Sequence, residues 1–147
     1  MLKNALIAAA VLVAFNNGSW AGETKGHASH AGQSHAHDLL EVDASEAPHI
    51  TELTIAEDAK SGFNLFLTTE NFQFAPEQVN LPHVAGKGHA HIFVDGIKIT
   101  RLYGPAYYLD GLTYGEHRIE VRLNANDHRE YAVNGRRVIA EKYVTVR

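Results

Sequence analysis

Hydrophobic and polar residues alternate beyond residue 38 with the period of two that a half-buried strand requires. "FNLFLTT" puts Phe63, Leu65 and Leu67 on one face and Asn64, Phe66 and Thr68 on the other. "HRIEVRLN" alternates strictly, with Ile119, Val121 and Leu123 opposite Arg118, Glu120 and Arg122. "HITELTIAE" alternates imperfectly through Ile50, Leu53 and Ile55, and "ITELTIAEDA" can also be read as a short helix. "RVIAEKYVTVR" closes the chain as a β-branched strand. Asp95-Gly96, between the apolar runs "HAHIFV" and "IKITRLYG", is a two-residue hairpin signal, and Asn134-Gly135 sets up a second turn. Turn signals recur every 8–12 residues or so, which predicts an all-β, antiparallel β-sandwich of about seven strands over residues 39–147. "EHRIEVRLN" looks like a late strand of an immunoglobulin-like sandwich, with His117 packing where that strand begins.

The first residues break this pattern. Lys3 precedes the apolar run "ALIAAAVLVAF", too short for a mature membrane span but suited to the apolar part of an export signal. "NNGSWAG" follows, with Ser19 and Ala21 as small residues before a cleavage point. A signal peptide over 1–21, cut after Ala21, is therefore expected; cleavage after Ala14 and a retained anchor are the alternatives. No second apolar run follows, so the expected location is periplasmic or secreted, with no membrane span after cleavage. Residues 22–37 hold no large apolar side chain, so an arm ending at residue 38 is expected to be flexible.

The chain has no cysteine, and its one methionine is Met1. Disulfides, iron–sulfur clusters, thiolate copper and thioether sites for Cu(I) are excluded. With 13 basic and 17 acidic side chains there is no nucleic-acid footprint. Any metal must be held by imidazole nitrogen or oxygen, a donor set suited to Cu(II), Zn(II) or Ni(II).

Ten histidines supply such donors. In "GKGHAHIFVDG", His89 and His91 are two apart on a strand and so project from one face, their bases roughly 6–7 Å apart. Imidazoles can converge from that spacing on a metal at about 2.0 Å. Ile92 and Val94 take the core face, and Phe93 continues the histidine face. A third ligand must come from elsewhere. His128 in "LNANDHREYAVNG" and His83 in "LPHVAGKGHAH" are nearly level candidates. Asp127 could ligate or hold the His128 tautomer. Of Tyr103, Tyr107 and Tyr108, one could line the site, although half-buried packing roles suit them better. The arm adds a second device: His27, His30, His35 and His37 can capture metal over a wide radius at modest affinity.

At "GHAHIFVDGIKITRLYGPAYYL…YGEHRIEVRLNANDHREYAV", the sequence resembles a group of exported bacterial β-sandwich domains of mostly unassigned function. They carry a Gly-His-(Ala or His)-His strand followed by Val-Asp-Gly, Tyr-Gly-Pro, Gly-x-His and Asn-Ala-Asn-Asp-His. The resemblance covers residues 60–147 or so. It implies an immunoglobulin-like or cupredoxin-like sandwich and a link with copper handling. The positions that carry over are His89, His91, Asp127 and His128. The group's pattern has a histidine or another aromatic near the place of Tyr108, so the resemblance brings no fourth imidazole to this chain.

Together these readings point to a periplasmic or secreted protein that sequesters or delivers a divalent metal, copper(II) first and zinc second. Its expected partners are the ion and another exported metal-handling protein. The alternative is a non-catalytic structural or protein-interaction module with incidental surface histidines. No enzyme is expected: the chain has no Gly-x-Ser-x-Gly elbow, no His-Glu-x-x-His and no phosphate-cradling glycine loop. Because the ligands must be neutral imidazoles, metal uptake is expected to weaken as pH falls through about 6.5, which a Cu(II) titration across pH checks.

Overall fold

A computed structural model describes residues 38–147. The expected signal peptide, and the arm with His27, His30, His35 and His37, lie outside the described residues. The chain runs β1 (Leu39–Glu41), β2 (His49–Glu57), β3 (Phe63–Glu70), β4 (Gln73–Phe74), β5 (Lys87–Val94), β6 (Ile97–Leu102), β7 (Ala106–Leu109), β8 (Gly115–Ala125), β9 (Glu130–Val133), β10 (Arg136–Arg137) and β11 (Ile139–Val146). One 3-10 turn covers Pro76–Gln78, and "ITELTIAE" lies within β2 rather than in a helix. Among the described residues there are eleven strands rather than about seven. The surplus comes largely from β1, β4 and β10, two or three residues each and too short to show a period.

Two sheets pack as an all-β sandwich. The larger has the order β1-β9-β8-β5-β4, with β6 on β5, β11 on β8 and β10 on β9; the smaller is β2-β3-β7. Phe63, Leu65 and Leu67 of β3 face inward as their alternation requires. They share one core with Ala90, Ile92 and Val94 of β5 and Ile119, Val121 and Leu123 of β8. Each Phe, Leu, Ile or Val among them, when fully buried, contributes roughly 1.5–3 kcal/mol. No helix among the described residues is long and apolar enough to cross a membrane.

The two predicted turns form as their residues require. Asp95 and Gly96 both take positive φ (50° and 84°), and Val94 pairs with Ile97 across them. Asn134 and Gly135 do the same (50° and 74°) between Val133 and Arg136. These are the left-handed conformations that a tight hairpin needs and that Asn, Asp and Gly tolerate best.

His117 does more than pack. Its Nδ1 lies 2.7 Å from Asp95 Oδ2 and its Nε2 is 2.9 Å from the Thr113 carbonyl oxygen. The other Asp95 oxygen accepts the Arg118 N–H at 2.8 Å. This clamp ties the β5–β6 turn to the start of β8. The His117 hydrogen bond, then the Arg118 N–H, holds the Asp95 carboxyl below its ordinary range. The Asp95 hydrogen bond, then the Thr113 carbonyl, raises His117. The lowered Asp95 contributes stability above its ordinary pKa near 3.8 and loses it as pH falls through the lower folded value. The raised His117 contributes fully below its ordinary 6.5 and loses that as pH rises through the higher folded value. The urea-midpoint difference between wild type and Asp95→Asn should therefore be greatest between those limits and shrink on both sides. A difference that is flat with pH would refute the clamp.

Candidate metal centre

Strand β5 is buried on both faces, and the second face is polar. Antiparallel register with β8 sets His89 beside Asn124, His91 beside Arg122 and Phe93 beside Glu120, all on the side away from the core. His89 and His91 are 1 % and 0 % exposed. As their spacing predicts, the two rings converge: the Nε2 atoms lie 3.0 Å apart and the ring centroids 4.8 Å apart.

The third imidazole arrives from the β8–β9 hairpin. Ala125 N donates to the Arg129 carbonyl (2.8 Å) and His128 N donates to the Ala125 carbonyl (3.0 Å), closing the loop Asn126-Asp127-His128. His128 ends that loop at φ 71°, a left-handed position where glycine or asparagine is the usual choice. Its ring centroid is 4.8 Å from that of His89 and 6.2 Å from that of His91. Asn124 Nδ2 donates to the His128 carbonyl (3.1 Å), and Asn80 Oδ1 lies 2.6 Å from His128 Nε2.

One ring nitrogen from each of His89, His91 and His128 falls within 4.8 Å of the others, a group that could hold a metal ion. Two nitrogens on one tetrahedral ion at about 2.0–2.1 Å are roughly 3.3 Å apart. The strand pair is already near that spacing, and the longest separation needs only a modest closure of the hairpin imidazole. Three nitrogens on a tetrahedral ion leave one position open, the arrangement of a site that exchanges ligands.

The structure leaves Asp127 and His83 out of this group. Asp127 accepts from Arg129 Nη2 (2.8 Å), Nε (3.0 Å) and backbone N (3.2 Å). Burial disfavours its charge, but the Arg129 hydrogen bonds outweigh that and lower its pKa. The oxygen near the His128 ring belongs to Asn80 instead. The His83 ring stands edge-on to Tyr131, centroids 5.8 Å apart, and burial pushes its pKa down. Of the three tyrosines, Tyr103 lines the group, its ring 5.8 Å from that of His89. Tyr108 turns to Ser61, where its hydroxyl donates to the carbonyl (2.8 Å), and Tyr107 sits on β7 in the other sheet.

Two features around the group escape a reading of motifs. Lys98 Nζ lies 3.2 Å from His91 Nε2, and burial followed by Arg101 lowers its pKa against the pull of Glu130. On the same face, Glu141, Arg118, Glu120, Arg122, Glu130 and Arg137 form a ladder of ion pairs. Arg122 also lies 4.0 Å over the Phe93 ring, which itself is 6.4 Å from the His91 ring. The alternation of "HRIEVRLN" put the β8 members of the ladder on one face; the partners supplied by β9, β10 and β11 needed the sheet order.

Comparison with protein-family models, with curated proteins and with solved structures finds no match to this chain.

Gly88 and His128 make the site's construction testable. A Cβ on Gly88 would lie 1.9 Å from the Asn124 carbonyl oxygen. Gly88→Ala should therefore force β5 from β8 and lower the unfolding free energy by about 2 kcal/mol or more in urea titration. His128→Asn should change metal-free stability by less than about 1 kcal/mol, because asparagine eases the left-handed position while the contact to Asn80 weakens. Any metal binding by the three-histidine group should nevertheless be lost.

Proposed function

We propose that this chain is an exported protein that holds a divalent metal ion, copper(II) ahead of zinc, on His89, His91 and His128, and sequesters or delivers it. The observation that carries this reading is the meeting of three imidazoles from one strand and a hairpin, with nitrogens within 4.8 Å and two of the rings buried.

Copper(II) leads because an imidazole-only set ranks divalent ions in the Irving–Williams order, with Cu(II) above Zn(II). The absence of cysteine and of methionine after Met1 leaves no soft donor that would favour Cu(I). The export leader expected over residues 1–21 would put the protein in the periplasm or outside the cell. There His27, His30, His35 and His37 would gather metal for the strand site, and an exported metal-handling protein would supply or take the ion. The role is binding rather than catalysis.

Titration of the mature chain with Cu(II) and Zn(II) against a competing chelator tests the proposal. His89→Ala/His91→Ala should weaken Cu(II) binding by at least about 100-fold, since even second-shell changes at metal sites cost 10–100-fold. Deleting the chain before Leu39 should leave the tight site intact and slow only capture from dilute metal. Electron paramagnetic resonance of the Cu(II) form should count three nitrogens. If the arm deletion alone abolishes tight binding, the strand site is wrong. If neither variant changes affinity, the interaction-module reading replaces this one.

A further inference from the structure

We infer that Lys98 is a built-in cationic competitor for the metal position, which makes the site one that hands its ion on rather than one that locks it away. The inference rests on the metal reading above and addresses how that same site is regulated.

It begins with a break in register. At the Asp95-Gly96 turn, Val94 pairs with Ile97 and Phe93 with Lys98. Between Ile92 and Phe93 the pairing slips, so that Ile92 meets Thr100 and His91 meets Arg101. Ile99 is the extra residue of a β-bulge. Residues 98 and 101 would otherwise lie on opposite faces, being an odd number apart. The bulge turns both Lys98 and Arg101 onto the histidine face, and bulges re-aim side chains in this way.

Lys98 reaches furthest, its ammonium 3.2 Å from His91 Nε2. An ammonium has only donors, so in the tautomer that bonds Lys98 the His91 Nε2 lone pair accepts, and His89 Nε2, 3.0 Å from the same nitrogen, is then a second donor to it. A lone pair that accepts the Lys98 proton cannot also bind a metal. Loading therefore exchanges one cation for another at His91, and unloading lets Lys98 return. Glu120 and Glu130, the buried carboxylates on this face, are already engaged by Arg118, Arg122 and Arg137, and Glu130 attracts Lys98 only as a more distant charge. Lys98 is exposed as a whole residue although its ammonium end is partly desolvated beside His91, so its flexible stem can swing out as the ion enters.

The test compares full-length mature wild type with Lys98→Met, which keeps the stem and drops the charge, and Lys98→Arg, which keeps a charge. Cu(II) affinity by chelator competition should tighten about tenfold in Lys98→Met, the equivalent of one charge-assisted hydrogen bond removed from the metal-free state, and should not tighten in Lys98→Arg. Mass-spectrometric acylation at Lys98 should rise when wild type is loaded with Cu(II), and rise in metal-free His91→Ala. Unchanged or weaker binding by Lys98→Met overturns the inference and leaves the metal site standing. Failure of both wild type and Lys98→Met to bind Cu(II) or Zn(II) overturns the metal reading and this inference with it.

Discussion

The close approach of β5 to β8 is the constraint on which the histidine group depends. Gly88 pairs with Ala125, and its missing side chain lets the Asn124 carbonyl sit where a Cβ would be. One residue along β5 stands His89; past Ala125, β8 turns into the loop that presents His128. The same backbone contact therefore sets the spacing of two imidazoles that are far apart in sequence. The third, His91, follows from strand parity alone. Imidazoles held by one strand and a short hairpin would lose little freedom on taking up an ion, an arrangement that favours selective binding over adhesion.

A second layer supports the first. The larger sheet is apolar toward the sandwich core and ionic on its other face, where Glu120 and Glu130 are 5 % and 2 % exposed. Buried carboxylates are costly unless they are paired, and here each meets two guanidinium groups. Such a network adds less to net stability than apolar packing would, but it has few alternative arrangements. Arg122 spans the two carboxylates and rests on Phe93, so the ladder also fixes the ring next to His91 in the sheet.

Much of this was legible in the residues. Strict alternation exposed β3 and β8, and Asp95-Gly96 and Asn134-Gly135 marked the β5–β6 and β9–β10 turns, because those features depend on neighbours two to four residues away. The pairing of His89 and His91 followed from the same periodicity. Choosing among His83, Asp127 and His128 did not, since that choice depends on competition between nearby partners. Asp127 is satisfied two residues away by Arg129, and His83 meets Tyr131, 48 positions along, in a contact no local pattern encodes. Lys98 was missed for a different reason. A regular hairpin would give Lys98 and Arg101 opposite faces, and the bulge that unites them leaves no mark on the alternation.

That bulge bears on a different property, colloidal behaviour. Within the described part of the larger sheet, β6 pairs with β5 only and so forms a border of unpaired backbone groups. Ile97 and Ile99 are 71 % and 42 % exposed along it, the kind of strip that recruits another chain. The register slip bends that strip, and the cations at 98 and 101 make it repel a copy of itself. The irregularity that places an ammonium beside His91 thus also works against edge-to-edge pairing, and neutralising position 98 would surrender part of that repulsion.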